Sequence, residues 1–212
     1  MRCVILTGGK VDNLQWLARA LAQADRLICV DSGAGYAAAL GIVPQIIIGD
    51  MDSIDHSLLE NYYRQGVVIK EYPPEKDDTD TALALREVLS EHPDEVVILG
   101  ATGTRFDHTL ANVHLLRVAL ENHVSARIID EYNEISLLAP RQPAVVKGRP
   151  GDEFSLLPLT EKVTGVCVQG ARWPLRDAAF SIGNPYGISN RLVGDAAEIT
   201  IASGLMLLIK VG

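Results

Sequence analysis

Residues 96–121 read VVILGATGTRFDHTLANVHLLRVALE, and the order of the parts in this stretch decides the fold. A β-branched run, Val96–Leu99, ends at a glycine turn, Gly100–Gly103; apolar residues then recur three or four apart at Leu110, Val113, Leu116 and Leu120. A continuous β-branched run giving way to period 3.6 across glycine is strand, turn and helix, with the helical stripe packed on a sheet. The pattern recurs upstream, with runs at Cys3–Leu6, Leu27–Val30, Ile46–Ile48 and Val67–Ile69, and one more run follows at Ala126–Ile129. Helical stretches lie between them at Asn13–Ala22, Asp55–Arg64 and Thr79–Glu91. Strands alternating with helices form a parallel sheet, so the N-terminal part is expected to be an α/β fold with a Rossmann-like parallel sheet and flanking helices.

Beyond residue 130 the texture changes. Pro140, Pro143 and Pro150 punctuate the chain, and short runs follow without helices between them: Phe154–Leu157, Val163–Val168, Ile188–Leu192, Glu198–Ile201 and Leu205–Ile209. These predict a small all-β sandwich or barrel domain. The expected division is 1–132 and 133–212, with Glu134–Leu138 able to join either sheet.

The 212 residues are 48% hydrophobic and 22% charged, which is globular composition and excludes a disordered chain. A net charge of −8 argues against nucleic acid as a partner. Residues 1–150 carry 21 acids and 14 bases, so the acidity belongs to the α/β part. Cys3, Cys29 and Cys167 have no metal-ligand spacing and read as reduced thiols of a cytoplasmic protein. No apolar run reaches the length of a membrane span, and no signal-peptide pattern opens the chain.

Ligands of an open α/β sheet bind beyond the carboxyl ends of its strands. The segments there share a theme: Asp31-Ser32-Gly33-Ala34-Gly35, Asp50-Met51-Asp52-Ser53, Asp77-Asp78-Thr79-Asp80, and Ala101 through His108. A lone Asp after a strand caps the next helix, and Asp55, Asp78 and Asp107 read equally well as caps. Several carboxylates directed at one crevice repel one another unless a cation sits among them, and hard divalent ions such as Mg²⁺ take oxygen ligands. Asp50, Asp52 and Asp80 are the foremost ligand candidates, followed by Asp31 and Asp77. Gly8-Gly9 and Gly100–Gly103 offer backbone N–H groups to phosphate. Arg105 either binds phosphate bidentately or pairs with a neighbouring Asp. No GxxxxGK[ST] motif is present. Gly33 to Ala38 fits GxGxxA, but the motif follows the second strand, and a dinucleotide site needs one acid where this crevice offers several.

Taken together, Asp31-Ser32-Gly33-Ala34, Gly49-Asp50-Met51-Asp52-Ser53-Ile54, Asp77-Asp78-Thr79-Asp80 and Gly100 through His108 resemble the ordered signature of thiamine pyrophosphokinases. Gly170 through Leu175 and Ile188-Ser189-Asn190 resemble that family's thiamine-binding half. The resemblance implies pyrophosphoryl transfer from ATP to the hydroxyethyl oxygen of thiamine, giving thiamine diphosphate and AMP, with Mg²⁺ as cofactor. It also implies a homodimer with sites shared between subunits. On this resemblance Asp31, Asp50, Asp52 and Asp80 surround metal and triphosphate. Gly8, Gly9, Gly33, Asp77, Thr79, Gly100, Thr102, Gly103, Arg105, Asp107 and His108 complete the nucleotide site, and Trp173, Ser189 and Asn190 contact thiamine. Asp80 and Asp52 are the candidates for taking the hydroxyl proton. Met51, Thr104 and Arg191 depart from the commonest family pattern. The competing readings are a diphosphokinase for another hydroxyalkyl heterocycle, a non-enzymatic ATP–Mg²⁺ sensor and a dinucleotide oxidoreductase.

Overall fold

A computed structural model describes all 212 residues, Met1–Gly212, and the chain divides into two compact units, Met1–Glu131 and Tyr132–Gly212. In the first, strands β1 (Arg2–Leu6), β2 (Arg26–Val30), β3 (Ile46–Gly49), β4 (Val68–Glu71), β5 (Glu95–Leu99) and β6 (Ser125–Ile129) alternate with helices. The helices are α1 (Leu14–Leu21), α2 (Gly33–Ala39), α3 (His56–Arg64), α4 (Asp80–Leu89) and α5 (Phe106–Glu121). The strands lie in the order β6-β5-β1-β2-β3-β4, and every pair is parallel.

Both faces of this sheet are covered, which is why its strands are apolar without alternation. Val4, Leu6, Cys29, Ile47 and Leu99 share one core with Leu17 and Leu21 of α1, Ala34 and Ala37 of α2, and Tyr62 of α3. Their neighbours Cys3, Ile5, Ile28, Ile48, Val96 and Ile98, all fully buried, point the other way, where α4 packs on β1, β2 and β3. In α5 the buried side is Asn112, Val113, Leu116 and Ala119, whereas Leu110, expected in the stripe, is exposed. Burial raises the Cys29 thiol to about 12, which makes it an inert core residue.

The second unit contains β7 (Asn133–Leu138), β8 (Ala144–Lys147), β9 (Glu153–Pro158), β10 (Lys162–Gln169), β11 (Leu175–Ser181), β12 (Gly187–Arg191), β13 (Ala196–Thr200) and β14 (Met206–Val211). They pair antiparallel in two sets, β12-β9-β14-β7 and β11-β10-β13-β8. Phe154, Leu156, Met206 and Leu208 from the first set share one core with Val163, Val166, Phe180 and Ile199 from the second. Burying such side chains on both sets is what holds them face to face, at about 25 cal/mol per Å² of apolar surface removed from water. Glu134–Leu138 belongs to this unit as part of β7.

Candidate active site

The strand order places a site before any side chain is considered. From β1 the chain moves outward through β2, β3 and β4, then returns to β5 on the other side of β1, so the loops after β1 and β5 diverge and open a crevice between them. The two loops interlock. The Gly9 N–H donates to the Gly100 carbonyl at 2.9 Å, and a Cβ on Gly9 would stand 2.1 Å from that oxygen and 2.4 Å from the Thr102 carbonyl. Only glycine permits this approach. Buried Asn112 donates its Nδ2 to the Ala101 carbonyl at 2.9 Å, and Thr102 Oγ1 bonds Asp130 at 2.9 Å, so the second loop is braced from two sides. Glu131 Oε1 braces the first, accepting from the N–H groups of Asp12 at 2.8 Å and Asn13 at 2.7 Å.

Between the loops lies a cleft of about 640 Å³. Gly8 and Gly9 line it after β1, and Asp31 after β2. Thr79 and Asp80 line it at the start of α4; Gly100, Thr102 and Gly103 do so after β5, with Arg105 and His108 at the entry to α5. Ten of the expected nucleotide and metal residues therefore meet on one wall. Volume, backbone N–H groups and acids together suit a metal-bound nucleotide.

The acids are held under tension. Asp31 has φ 46, in the left-handed region, and its carboxylate lies where a Cβ on residue 49 would stand 1.6 Å from Oδ1, so Gly49 makes room for it. Asp31 Oδ1 is buried without a hydrogen-bond partner. Burial, then the charges of Asp80 and Asp50, push the Asp31 carboxyl up to about 7, against a backbone hydrogen bond from Asp50 and the charge of Lys76. Met51 also sits in the left-handed region, at φ 63, which for a bulky side chain costs on the order of 1 kcal/mol or more. That turn lets Asp50 Oδ1 accept the Asp52 N–H at 3.2 Å. Asp52 is exposed, and its pKa is raised by its hydrogen bond to Asp50 and by the Asp50 charge. Asp80 Oδ1, also buried without an aligned hydrogen-bond donor, lies 2.8 Å from the Lys76 ammonium as an ion pair. The four acids thus feel one another, yet Asp50 and Asp52 stand outside the cleft wall, and nowhere do three His, Cys, Asp or Glu side chains converge into a closed metal cage.

Other expected site residues take different places. Gly33 is buried at the start of α2 against the Leu6 carbonyl and does not line the cleft. Asp77 is exposed and also lies off the wall. Thr79, besides lining the cleft, caps α4 by accepting the Ala82 N–H at 3.2 Å. Arg105 grips Asp107 with two nitrogens, Nε at 2.9 Å and Nη2 at 2.6 Å, so the guanidinium is paired with its neighbour and the Asp107 carboxyl is held well below the usual carboxylate range. Arg105 borders the cleft and Asp107 does not. Asp55 caps α3 through the Ser57 N–H at 2.8 Å, and Asp78 pairs with Arg86 at 2.8 Å. Lys76 and Asn112 are the residues that sequence reasoning missed. No spacing rule marks Lys76, which precedes the first turn of α4.

The second unit gathers Trp173, Ser189 and Asn190 differently. Trp173 is 52% exposed, with the Arg172 guanidinium 5.1 Å from its ring centroid. Asn190 is buried with three bonds on its amide: Oδ1 accepts from Trp173 N–H at 3.1 Å and Arg191 N–H at 2.9 Å, and Nδ2 donates to the Trp173 carbonyl at 2.9 Å. Its evident work is to pin the Trp173 backbone. Ser189 adopts φ 58 and donates its N–H to Ser155 Oγ at 3.0 Å. Arg191 pairs with Glu153 Oε1 through Nε at 2.9 Å and Nη2 at 2.6 Å, so its departure from the usual acid adds no unbalanced charge at that point.

Two family models match the chain: the thiamin pyrophosphokinase catalytic domain over residues 17–128, and the thiamin pyrophosphokinase vitamin B1 binding domain over residues 143–206. Thiamine pyrophosphokinase of Bacillus subtilis is 31% identical over 183 residues, an alignment covering 86% of each protein. Thiamine pyrophosphokinase 1 of Oryza sativa is 26% identical, over 79% of this chain and 66% of that protein. Among solved structures, Bacillus subtilis thiamine pyrophosphokinase superposes with a TM-score of 0.90 at 26% identity, covering 100% of this chain and 99% of that one. The yeast enzyme shares the fold at 17% identity, with a TM-score of 0.84 over 100% of this chain and 86% of its own. Matched by both domain models and 31% identical to the Bacillus subtilis enzyme over 86% of each protein, this chain belongs to the thiamine pyrophosphokinase family.

Proposed function

We propose that the chain transfers the pyrophosphoryl group of ATP to the hydroxyl of thiamine, forming thiamine diphosphate and AMP, and that it does so with Mg²⁺. The observation that carries this reading is the meeting of two interlocked glycine loops with mutually repelling acids at the divergence of β1 and β5, in a chain that both family models match. We read 1–132 as a Rossmann-like ATP-binding catalytic domain and 133–212 as a thiamine-binding β-sandwich.

The residues present fit a divalent ion. Asp31 Oδ1 is a buried oxygen lacking a partner, and the donors around it are all carboxylates. Mg²⁺ is held by one or two carboxylates together with water and substrate phosphates, so a closed protein cage is not needed. Asp31 and Asp80 would hold it from the wall, with Asp50 and Asp52 behind. The ion supplies neutralisation of the triphosphate oxygens and polarisation of the β-phosphorus.

The chain's own residues do the rest. N–H groups of Gly8 and of Gly100 through Gly103 cradle phosphate oxygens at the N-terminal end of α5, while the Gly9 N–H holds the two loops together through the Gly100 carbonyl. Arg105 exchanges Asp107 for phosphate as charge develops on the leaving AMP. Trp173 offers its face to the cationic heteroaromatic ring, held there by Asn190. We take the active form to be a cytoplasmic homodimer. Incubation with ATP, Mg²⁺ and thiamine is expected to release AMP and thiamine diphosphate in equal amounts. Release of ADP, or AMP release independent of thiamine, overturns the reading.

A further inference from the structure

Lys76, directly ahead of the Asp77-Asp78-Thr79-Asp80 run, places its ammonium 2.8 Å from Asp80 Oδ1, with the two side chains only 14% and 17% exposed. Ordinary surface pairs are far more open, as Arg105 and Asp107 are at 70% and 64%. Sequestering a lysine costs hydration and rotamer freedom, so a partner of this kind must be compensated by more than one carboxylate. It is: Asp50 and Asp31 add their attraction to that of Asp80. The neutralisation is still incomplete, because Asp31 Oδ1 remains buried without a partner. One cation thus serves a cluster of acids that has room for more positive charge.

We infer that Lys76 is the resident counter-cation of this cluster: it holds Asp80 in the metal-free protein and surrenders that carboxylate when a divalent ion is loaded. The inference rests on the metal reading proposed above. It makes Lys76 a positioning residue whose removal strengthens metal binding, the opposite of what loss of a merely structural pair would do. A compact ammonium on a flexible stem suits such an exchange better than a guanidinium fork.

The test is Mn²⁺ binding without nucleotide, read from the paramagnetic signal of free Mn²⁺. Lys76→Met is expected to bind Mn²⁺ more tightly, on the order of tenfold, since a like charge has been removed from the ion's neighbourhood. Lys76→Arg, which keeps the charge, should stay close to the unsubstituted protein. As a second reading that needs no variant, acetylation of Lys76 by acetic anhydride, followed by peptide mass spectrometry, should increase several-fold when Mg²⁺ is added. Unchanged or weaker Mn²⁺ binding by folded Lys76→Met, or acetylation insensitive to Mg²⁺, overturns the inference while leaving the metal site standing. If neither the unsubstituted protein nor Lys76→Met binds Mn²⁺ without nucleotide, the inference is overturned; if neither binds it with ATP present, the metal site falls as well.

Discussion

The cleft of the α/β unit and the Trp173 corner of the β unit solve opposite problems. In the cleft, polar groups are left wanting: Asp31 Oδ1 has no partner, two neighbouring carboxylates raise its pKa, and Asp31 and Met51 both hold left-handed backbone. In the corner nearly everything polar is matched within the unit, with three hydrogen bonds on the Asn190 amide and Glu153 beneath Arg191, and what faces solvent is an indole. On the proposed reading, the cleft keeps its own charges uncompensated so that a multiply charged ligand completes them, whereas the corner satisfies its polar atoms first and presents surface to a flat cation.

That contrast can be broken at several points. Asp31→Asn removes a repelled carboxylate, so AMP release should fall by at least about a hundredfold while the metal-free protein melts no lower than before; paired activity and melting measurements check both halves. Loss of activity accompanied by a lower melting temperature would make Asp31 a structural residue. Asn190→Ala should do the reverse, costing about 1–3 kcal/mol of stability in urea titration because the buried Asn190 amide is lost and part-buried backbone groups of Trp173 and Arg191 lose their partner. Its KM for thiamine should rise while that for ATP stays put.

Trp173→Ala should raise the thiamine KM by roughly tenfold or less with little change in stability, since the ring is largely exposed. An equal rise for ATP would place the indole elsewhere in the reaction. A smaller effect is expected from pH. The folded pKa of Asp31, about 7, lies above its unfolded value of about 4, so the folded state binds the extra proton between them. In EDTA this group's contribution to stability therefore declines as pH rises from about 4 to about 7, and the melting difference between the unsubstituted protein and Asp31→Asn should shrink or reverse across that range. Smallest of all is Arg191→Ala, whose pair with Glu153 is 46% and 35% exposed and should be worth less than about 1 kcal/mol.

Strands β4 and β6 are largely unburied, whereas β1, β2, β3 and β5 were legible because each is a buried apolar run, and buried parallel strands announce themselves by continuity. Helix α2 was not, since GAGYAAA carries one large side chain and therefore no stripe. Strand β8 hides behind Pro143 as four residues, and β11, at the end of its sheet, buries only Phe180 among its seven. At the site, position after a strand located Asp31, Asp80 and the glycine loops correctly on the cleft wall. It could not separate them from Asp50, Asp52, Asp77 and Asp107, which follow the same rule and do not line the cleft, because what a residue lines depends on the local turn. Lys76 escaped for a related reason: beside several acids a lysine reads as solvated charge, and only packing shows it withdrawn from water.

The loop after β1 also bears on how the chain can be cut. Its N–H groups at Asp12 and Asn13 are held by the carboxylate of Glu131, the last residue of the first unit and two positions beyond the end of β6. A fragment ending at Ile129 would retain every strand and helix of the first unit and still lose the brace on the loop after β1. Anyone dissecting or grafting this half should therefore draw its border by that contact and not by the last residue of the sheet.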